Sequence, residues 1–312
     1  MYVRLSGRAL INIHTANAEG AIGNYISLSK MFVVRRLPNG GLDYFEEPVI
    51  SGNMLKHWHA VETVNILKSM NYGKICEYCR RYVMYRSPLK YNDEFDYIKN
   101  CAIEDLHGFL STETNIRRES VVRFSFMVPV EDLKSKYMAI THNRVGVTKE
   151  GKIDESLMMV FKREHATGLY GFSISLDLAY VGKSQSDPSK ALDIDERKLR
   201  AKAALQALAN LLTGSFGASR VRAEPIIKIT ELVCVASKKP VPNLTHGFYK
   251  DYIEDSKSRI ESLRSIGFTG ESVRVYVIGD RVTQAFGELG IRCDNVIELV
   301  GKLMGDVEKW FT

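Results

Sequence analysis

Apolar and polar residues alternate through Val3–His14. Val3, Leu5, Ala9, Ile11 and Ile13 largely share one face, and Arg4, Ser6, Arg8 and Asn12 the other, which is the period of a half-buried strand. The same period predicts strands over 120–130, with Val122, Phe124, Phe126 and Val128 on the core side, and over 169–181, with Tyr170, Phe172, Ile174, Leu176 and Leu178. A further strand is expected from Pro225 to Ala236, its proline at the first position, where no ladder donor is needed. Helical spacing appears twice. A helix over 53–70 follows the turn Pro48-Val-Ile-Ser-Gly52. A second, over 193–213, opens with Asp193 and Glu196 as a capping box, carries Leu199, Ala203, Leu208 and Leu212 on one stripe, and meets its stop at Gly214. Thr15–Ser29 reads as a Gly/Asn/Ser-rich loop, Met31–Arg36 as a short strand and Pro38–Gly41 as a turn.

Without its insertions this order is β-α-β-β-α-β, an α+β fold with a ferredoxin-like or RNA-recognition-motif core made of residues 1–71, 120–130 and 169–236. Residues 72–119 form a mostly helical insertion and 131–168 a protruding β-hairpin. Residues 237–312 add a C-terminal extension with a helix near 249–266, a strand over 272–278 and a last helix near 294–311. The two core helices are expected to run roughly the same way, so the turns at 48–59 and 213–222 need not touch.

Charge changes the picture little: 43 basic against 37 acidic residues leave a net charge of +6, which permits a nucleic-acid partner without requiring one. Five cysteines make no disulfide framework. The opening Met1–Ser6 has no apolar leader, and no apolar run is long enough to span a bilayer. A cytoplasmic protein without a membrane partner is expected.

The chemistry concentrates in two Gly/Ser turns at helix boundaries. Leu212-Thr-Gly-Ser-Phe-Gly-Ala-Ser-Arg-Val-Arg222 offers bare backbone at Gly214 and Gly217, hydroxyls at Ser215 and Ser219, and the guanidinium groups of Arg220 and Arg222; such a set suits a phosphate chain. At the other turn, Ser51, Gly52 and Asn53 open a helix whose unpaired N–H groups favour phosphate, with Lys56 and His59 three residues apart. A helix cap with Trp58 as a core anchor explains the same residues. His142 and Arg144, in the hairpin, are further candidates for contact with phosphate or base. Basic residues interleave with Tyr78, Tyr82, Tyr85 and Tyr91, which suits single-stranded nucleic acid, although the first three have the spacing of one buried helical face. Cys76-Glu-Tyr-Cys79 has zinc-ligand spacing that Cys101 and His107 can complete, and it equally suits a helix face; neither a metal nor a cofactor is assigned. No stacking motif lies on the central strands, which favours a grip on backbone over stacking of bases. Walker, HExxH and nucleophile-elbow motifs are missing. Glu19 in the first loop and the imidazoles of His107 and His142 are the isolated groups that cleavage chemistry would need, so no catalytic residue is assigned.

Ile22-Gly-Asn24, Pro48–Gly52, Asp105 with Gly108-Phe109, and Leu212–Gly217 with Arg220 and Arg222 share an order and spacing that resembles the DevR-type backbone subunit of the archaeal type I-A CRISPR Cascade effector, within the RAMP superfamily. The resemblance runs from about residue 3 to residue 255. It implies a palm built on the core, a helical insertion and a thumb formed by the 131–168 hairpin with His142; the 237–312 extension is expected to pack on the palm. It also implies head-to-tail stacking of copies along a CRISPR RNA, association with other Cascade subunits, and target DNA engaged through the guide. Asn24, Ser51, Asn53 and Lys56 would then hold RNA, and the 214–222 turn would line the same path. Two rivals imply cleavage: a type III-like backbone nuclease using Glu19, and a RAMP endoribonuclease using His142 or His107.

Overall fold

The computed structural model describes residues 1–14, 18–84, 90–217 and 224–311. In chain order the strands and helices are β1 (Tyr2–His14), β2 (Ala18–Ile22), β3 (Tyr25–Leu28), β4 (Lys30–Arg36), β5 (Leu42–Pro48), α1 (Gly52–Ser69), α2 (Glu77–Arg80), α3 (Glu94–Asn100), α4 (Ala102–His107), β6 (Phe109–Ser111), β7 (Ile116–Arg118), β8 (Val122–Phe124), β9 (Val128–Pro129), β10 (Lys136–Arg144), β11 (Met159–Leu176), α5 (Ile194–Leu212), β12 (Ile226–Ser237), α6 (Tyr252–Ser262), β13 (Val273–Ile278), α7 (Asp280–Phe286), β14 (Ile291–Arg292) and α8 (Val296–Trp310).

The chain is an α+β protein around one large mixed sheet, ordered β14-β13-β12-β1-β11-β3-β2, with β8, β9 and β10 also paired to β11. At its centre β1 lies antiparallel to both β11 and β12. The alternation in the sequence sets what each face buries. Val3, Leu5, Ala9 and Ile11 join Tyr170, Phe172, Ile174 and Leu176 in a core with residues of α5 and α8. The opposite face carries Tyr2, Val233, Val235, Val275 and Val277 against α6 and α7.

Local patterning missed some elements for physical reasons. Thr15–Ser29 is not all loop: β2 and β3 form a hairpin there, and β3 pairs parallel to β11 at Lys162 and Arg163. The expected strand over 120–130 is broken after Phe124. Ile50 exchanges backbone hydrogen bonds with Met127 at 2.8 and 3.1 Å, and Ser125 ties back to Ser173. Phe126 is consequently 45 % exposed instead of sharing the core face with Val122. Among its described residues, the 72–119 insertion holds only short helices, plus the β6–β7 hairpin. β10 pairs with Met159–Thr167, the first half of β11, through nine consecutive residues. No helix among the described residues is long and apolar enough to cross a membrane.

Candidate nucleic-acid interface

The Ser51 hydroxyl accepts a hydrogen bond from the Met54 amide at 3.2 Å and caps α1. Gly52 is required by close approach, since a Cβ there would lie 2.4 Å from the Phe124 carbonyl oxygen. The cap sets the phase of the helix. Asn53 and His57 emerge exposed and Lys56 half-buried, and all three line a pocket of about 330 Å³ shared with Glu104, His107 and Leu110. Burial lowers the pKa of Lys56 and of His57.

His59 requires correction. It is 0 % exposed on the opposite face of α1. Its Nε2 donates to the Ala204 carbonyl at 2.9 Å, and its Nδ1 lies 2.8 Å from His107 Nε2. Burial pushes its pKa down to about 4 and that of His107 well below the usual histidine value. Both rings are buried and neutral, so His59 is not placed to touch RNA, while His107 is 7 % exposed and borders the pocket. The imidazole beside Lys56 at the surface is His57.

At the far turn, Thr213 closes α5 through bonds to Ala209 and Asn210 carbonyls. Gly214 and Gly217 adopt φ of 113° and 118°, conformations that favour glycine. Ser215 donates its amide to the Asn210 carbonyl, and Phe216 anchors the turn in the core. Ser219, Arg220 and Arg222 lie outside the described residues.

The two turns do meet, contrary to the expectation that the helices run the same way. Phe216 and Leu212, at the end of α5, and Leu55, in the first turn of α1, line one small void with Phe124. At the other end Tyr72, just past α1, bonds Glu196 and Arg200 near the start of α5. The helices are therefore antiparallel. The reason is topological: once β2–β5 are set aside, α1 follows β1 as α5 follows β11, and those two strands are antiparallel. Ser51, Gly52, Asn53 and Lys56 thus share one end of the helical layer with Gly214 and Ser215.

A second group lies on the hairpin. His142 stacks on Phe161 and His165, with its Nε2 3.4 Å from that of His165. Exposed Arg144 ends β10. On the other side of β11, exposed Asn24 accepts the Lys162 amide at 2.7 Å in the β2–β3 turn. Asn24 and His142 therefore flank the same stretch of β11. Glu19 falls in β2 instead of a loop. Tyr78 and Tyr82 are both exposed, so they do not form a buried helical face, and Tyr85 lies outside the described residues.

The sheet face turned away from α1 and α5 is closed. The segment around Thr245–Tyr249 crosses it. Arg8 donates to the Gly247 and Tyr249 carbonyls at 2.9 and 2.8 Å, and Ser6 donates to Thr245. Glycines make the approach possible: a Cβ on Gly171 would meet Phe248 N at 2.1 Å, and one on Gly247 would meet Gly7 O at 2.1 Å. Arg4, Ser6 and Arg8, which alternation put on a polar face, are buried beneath this cover.

Comparison with known proteins gives the family. The family model described as the CRISPR-associated negative auto-regulator DevR/Csa2 matches residues 5–257. A protein of Methanocaldococcus jannaschii named CRISPR-associated protein Cas7/Cst2/DevR is 38% identical, with 97% of this chain and 99% of that one covered. One of the same name from Thermoproteus tenax is 36% identical, with 86% and 85% covered. A Saccharolobus solfataricus protein named CRISPR-associated aCascade subunit Cas7/Csa2 2 is 28% identical, with 96% and 98% covered. The fold is similar to that of a chain from a solved CRISPR RNA-guided surveillance complex, with TM-score 0.53, 13% identity, and 98% and 99% of the two chains covered. The chain belongs to the CRISPR-associated DevR/Csa2 family.

Proposed function

We propose that this protein binds CRISPR RNA as the repeating backbone subunit of a cytoplasmic Cascade-type complex, stacks head to tail along the guide, leaves its bases free to pair with target DNA, and cleaves nothing. The strand order β12-β1-β11 with β8 and β9 beyond supports reading the core as a ferredoxin-like palm. Residues 72–119 and 237–312 are then its insertion and extension, and 131–168 its thumb. The closed sheet face supports a grip on sugar and phosphate outside the sheet, by the shared turns at Ser51–Lys56 and Gly214–Ser215, by Asn24 in the β2–β3 turn, and by His142 and Arg144 on the hairpin. Similarity to a relative named as an aCascade subunit supports association with other Cascade subunits.

The observation that carries self-association is the hairpin. Lys136–Thr141 are exposed without interruption, and Met138 and Ile153 are 67 % and 74 % exposed. Tyr137, Val147, Met159 and Val160 add further uncovered apolar surface. Uncovered apolar side chains gathered along one projecting hairpin support an interaction site there. A neighbouring copy is the partner that head-to-tail stacking supplies.

Purified protein is mixed with labelled CRISPR RNA of increasing length, with and without Mg²⁺ and a paired target RNA, and followed by gel shift and sizing. Intact RNA with assembly that grows stepwise with length is expected. Regular cuts in the guide would replace this reading with a processing nuclease. Cuts confined to paired target RNA would replace it with the type III-like enzyme.

A further inference from the structure

The insertion contains a cluster that the RNA-binding reading does not use. Cys76, Cys79 and Cys101 are all buried, and their Sγ atoms lie within 4.8 Å of one another. They come from different pieces of backbone. Cys76 immediately precedes α2, Cys79 lies within it, and Cys101 is the single residue joining α3 to α4. The Cys76 amide donates to Cys101 Sγ at 3.4 Å, so a backbone N–H already points at one sulfur. Hydrogen bonding of this kind orients the donors of a metal site.

His107, which the sequence offered as a fourth ligand, is excluded because its Nε2 faces His59 and it lies outside the group of three. Cys79 instead lines the pocket of about 330 Å³ that also holds Glu104, a buried carboxylate one helical turn from Cys101.

We infer that Cys76, Cys79 and Cys101 hold a zinc ion, with its fourth position facing this pocket, where water completes a tetrahedron. Convergent thiolates favour a soft, tetrahedral cation over magnesium or calcium. The local structure also has use for one. Helices α2, α3 and α4 have 4, 7 and 6 residues, too few to be stable through their own hydrogen bonds. A cross-link at Cys76, Cys79 and Cys101 fixes the start of α2 to the α3–α4 junction and holds both against α1, where Ala60, Val64 and Leu67 share the same apolar cluster. Asn53, Lys56 and His57 line the pocket that the metal would border.

The test uses the full chain, expressed with zinc and purified under reducing conditions without chelator. Elemental analysis is expected to give about one zinc per chain, and X-ray absorption three sulfurs near about 2.3 Å. Cys101→Ala should lose at least about nine-tenths of the metal, whereas the control Cys234→Ala, at a buried cysteine of the main core, should retain it. Since Cys101→Ala can fail to fold, the metal-free wild-type protein is also titrated with Co²⁺. A saturable thiolate-to-cobalt charge-transfer band at about one equivalent supports the site. Folded, reduced wild-type protein holding less than about a tenth of an equivalent of zinc and giving no cobalt band overturns it.

Discussion

Replacing Asp105 with Asn is expected to lower the melting temperature by about 5–8 °C, with the loss arising from stability and not from chemistry. Asp105 is fully buried between two fully buried guanidinium groups. Its Oδ1 accepts Arg118 Nη2 at 2.7 Å, its Oδ2 accepts Arg200 Nη1 at 2.8 Å, and the Gly182 amide reaches both oxygens. Arg118 has no spare donor, because its other hydrogen bonds go to Glu94 and to the carbonyls of Asp105, Tyr180 and Lys183. Asparagine keeps the shape, removes the charge between the two cations, and turns an NH₂ group toward one of them. Breaking a buried pair in this way costs about 3–5 kcal/mol. An unfolding entropy of about 2.1 cal/mol/K per residue amounts to about 0.65 kcal/mol/K for this chain, which converts that cost into the stated shift. Calorimetry would compare Asp105→Asn with Asp96→Asn, whose partner Lys99 is exposed and whose loss should move the melting temperature by about 1 °C or less. Equal shifts for the two variants would refute the reasoning. RNA binding by Asp105→Asn, measured well below its melting point, should match wild type.

Lys56→Ala should weaken RNA binding and reduce the slope of log K against log salt by about one, as measured by fluorescence anisotropy over a salt series; an unchanged slope removes Lys56 from the path. Gly171→Ala should destabilise by about 3 kcal/mol in urea unfolding, because its Cβ cannot share space with Phe248 N at 2.1 Å. Met138→Asp should leave binding to a short RNA intact and abolish cooperative growth on a long one, as read by sizing. Stability should fall as pH drops from about 6.5 toward 4, because the unfolded chain protonates His59 in a range where the buried ring, its pKa about 4, stays neutral; His59 contributes about 3 kcal/mol of the loss and His107 adds to it, so denaturant unfolding at each pH should show His59→Gln with a shallower slope than wild type.

The elements legible in the sequence are those whose pattern is set by one neighbouring layer. β1, β12, α1 and α5 fall within a residue or two of their expected bounds; β1, β12 and α5 each present a regular apolar stripe to the same core, and α1 is marked by its Ser51 cap. Where a distant segment intervenes, the pattern fails. The strand after residue 120 looks continuous because Val122 and Val128 share a phase, and it is Ile50, some seventy residues away in sequence, that occupies the break. β4 and β5 pair with Phe32 and Tyr44 left exposed, so β5 had no buried face to reveal it. The exchange of His57 for His59 is a different kind of error. Ser51 as N-cap fixes the helix phase, but α1 buries Ala60, Val61, Glu62 and Thr63 in succession between α5 and the insertion, which hides the stripe that would separate the two histidines.

Antiparallel packing of α1 and α5 has the largest consequence for the functional reading. With parallel helices, only a long ligand could have touched both Gly/Ser turns. With Leu55 and Phe216 lining one void, the turns at Ser51–Lys56 and Gly214–Ser215 are neighbours, and a short ligand can reach both. Thr245–Tyr249 covers the alternative surface, and the glycines at 7, 171 and 247 allow it to lie flat against the sheet. A protein that closes its sheet and offers helix ends, hydroxyls and a lysine has little with which to distinguish one base from another. That is the property required of a subunit whose sequence specificity is left to a guide strand. Swapping the guide sequence at constant length should therefore leave affinity and stoichiometry unchanged in the same sizing assay. A marked preference for one sequence would mean that bases are read, and that the contact surface lies elsewhere.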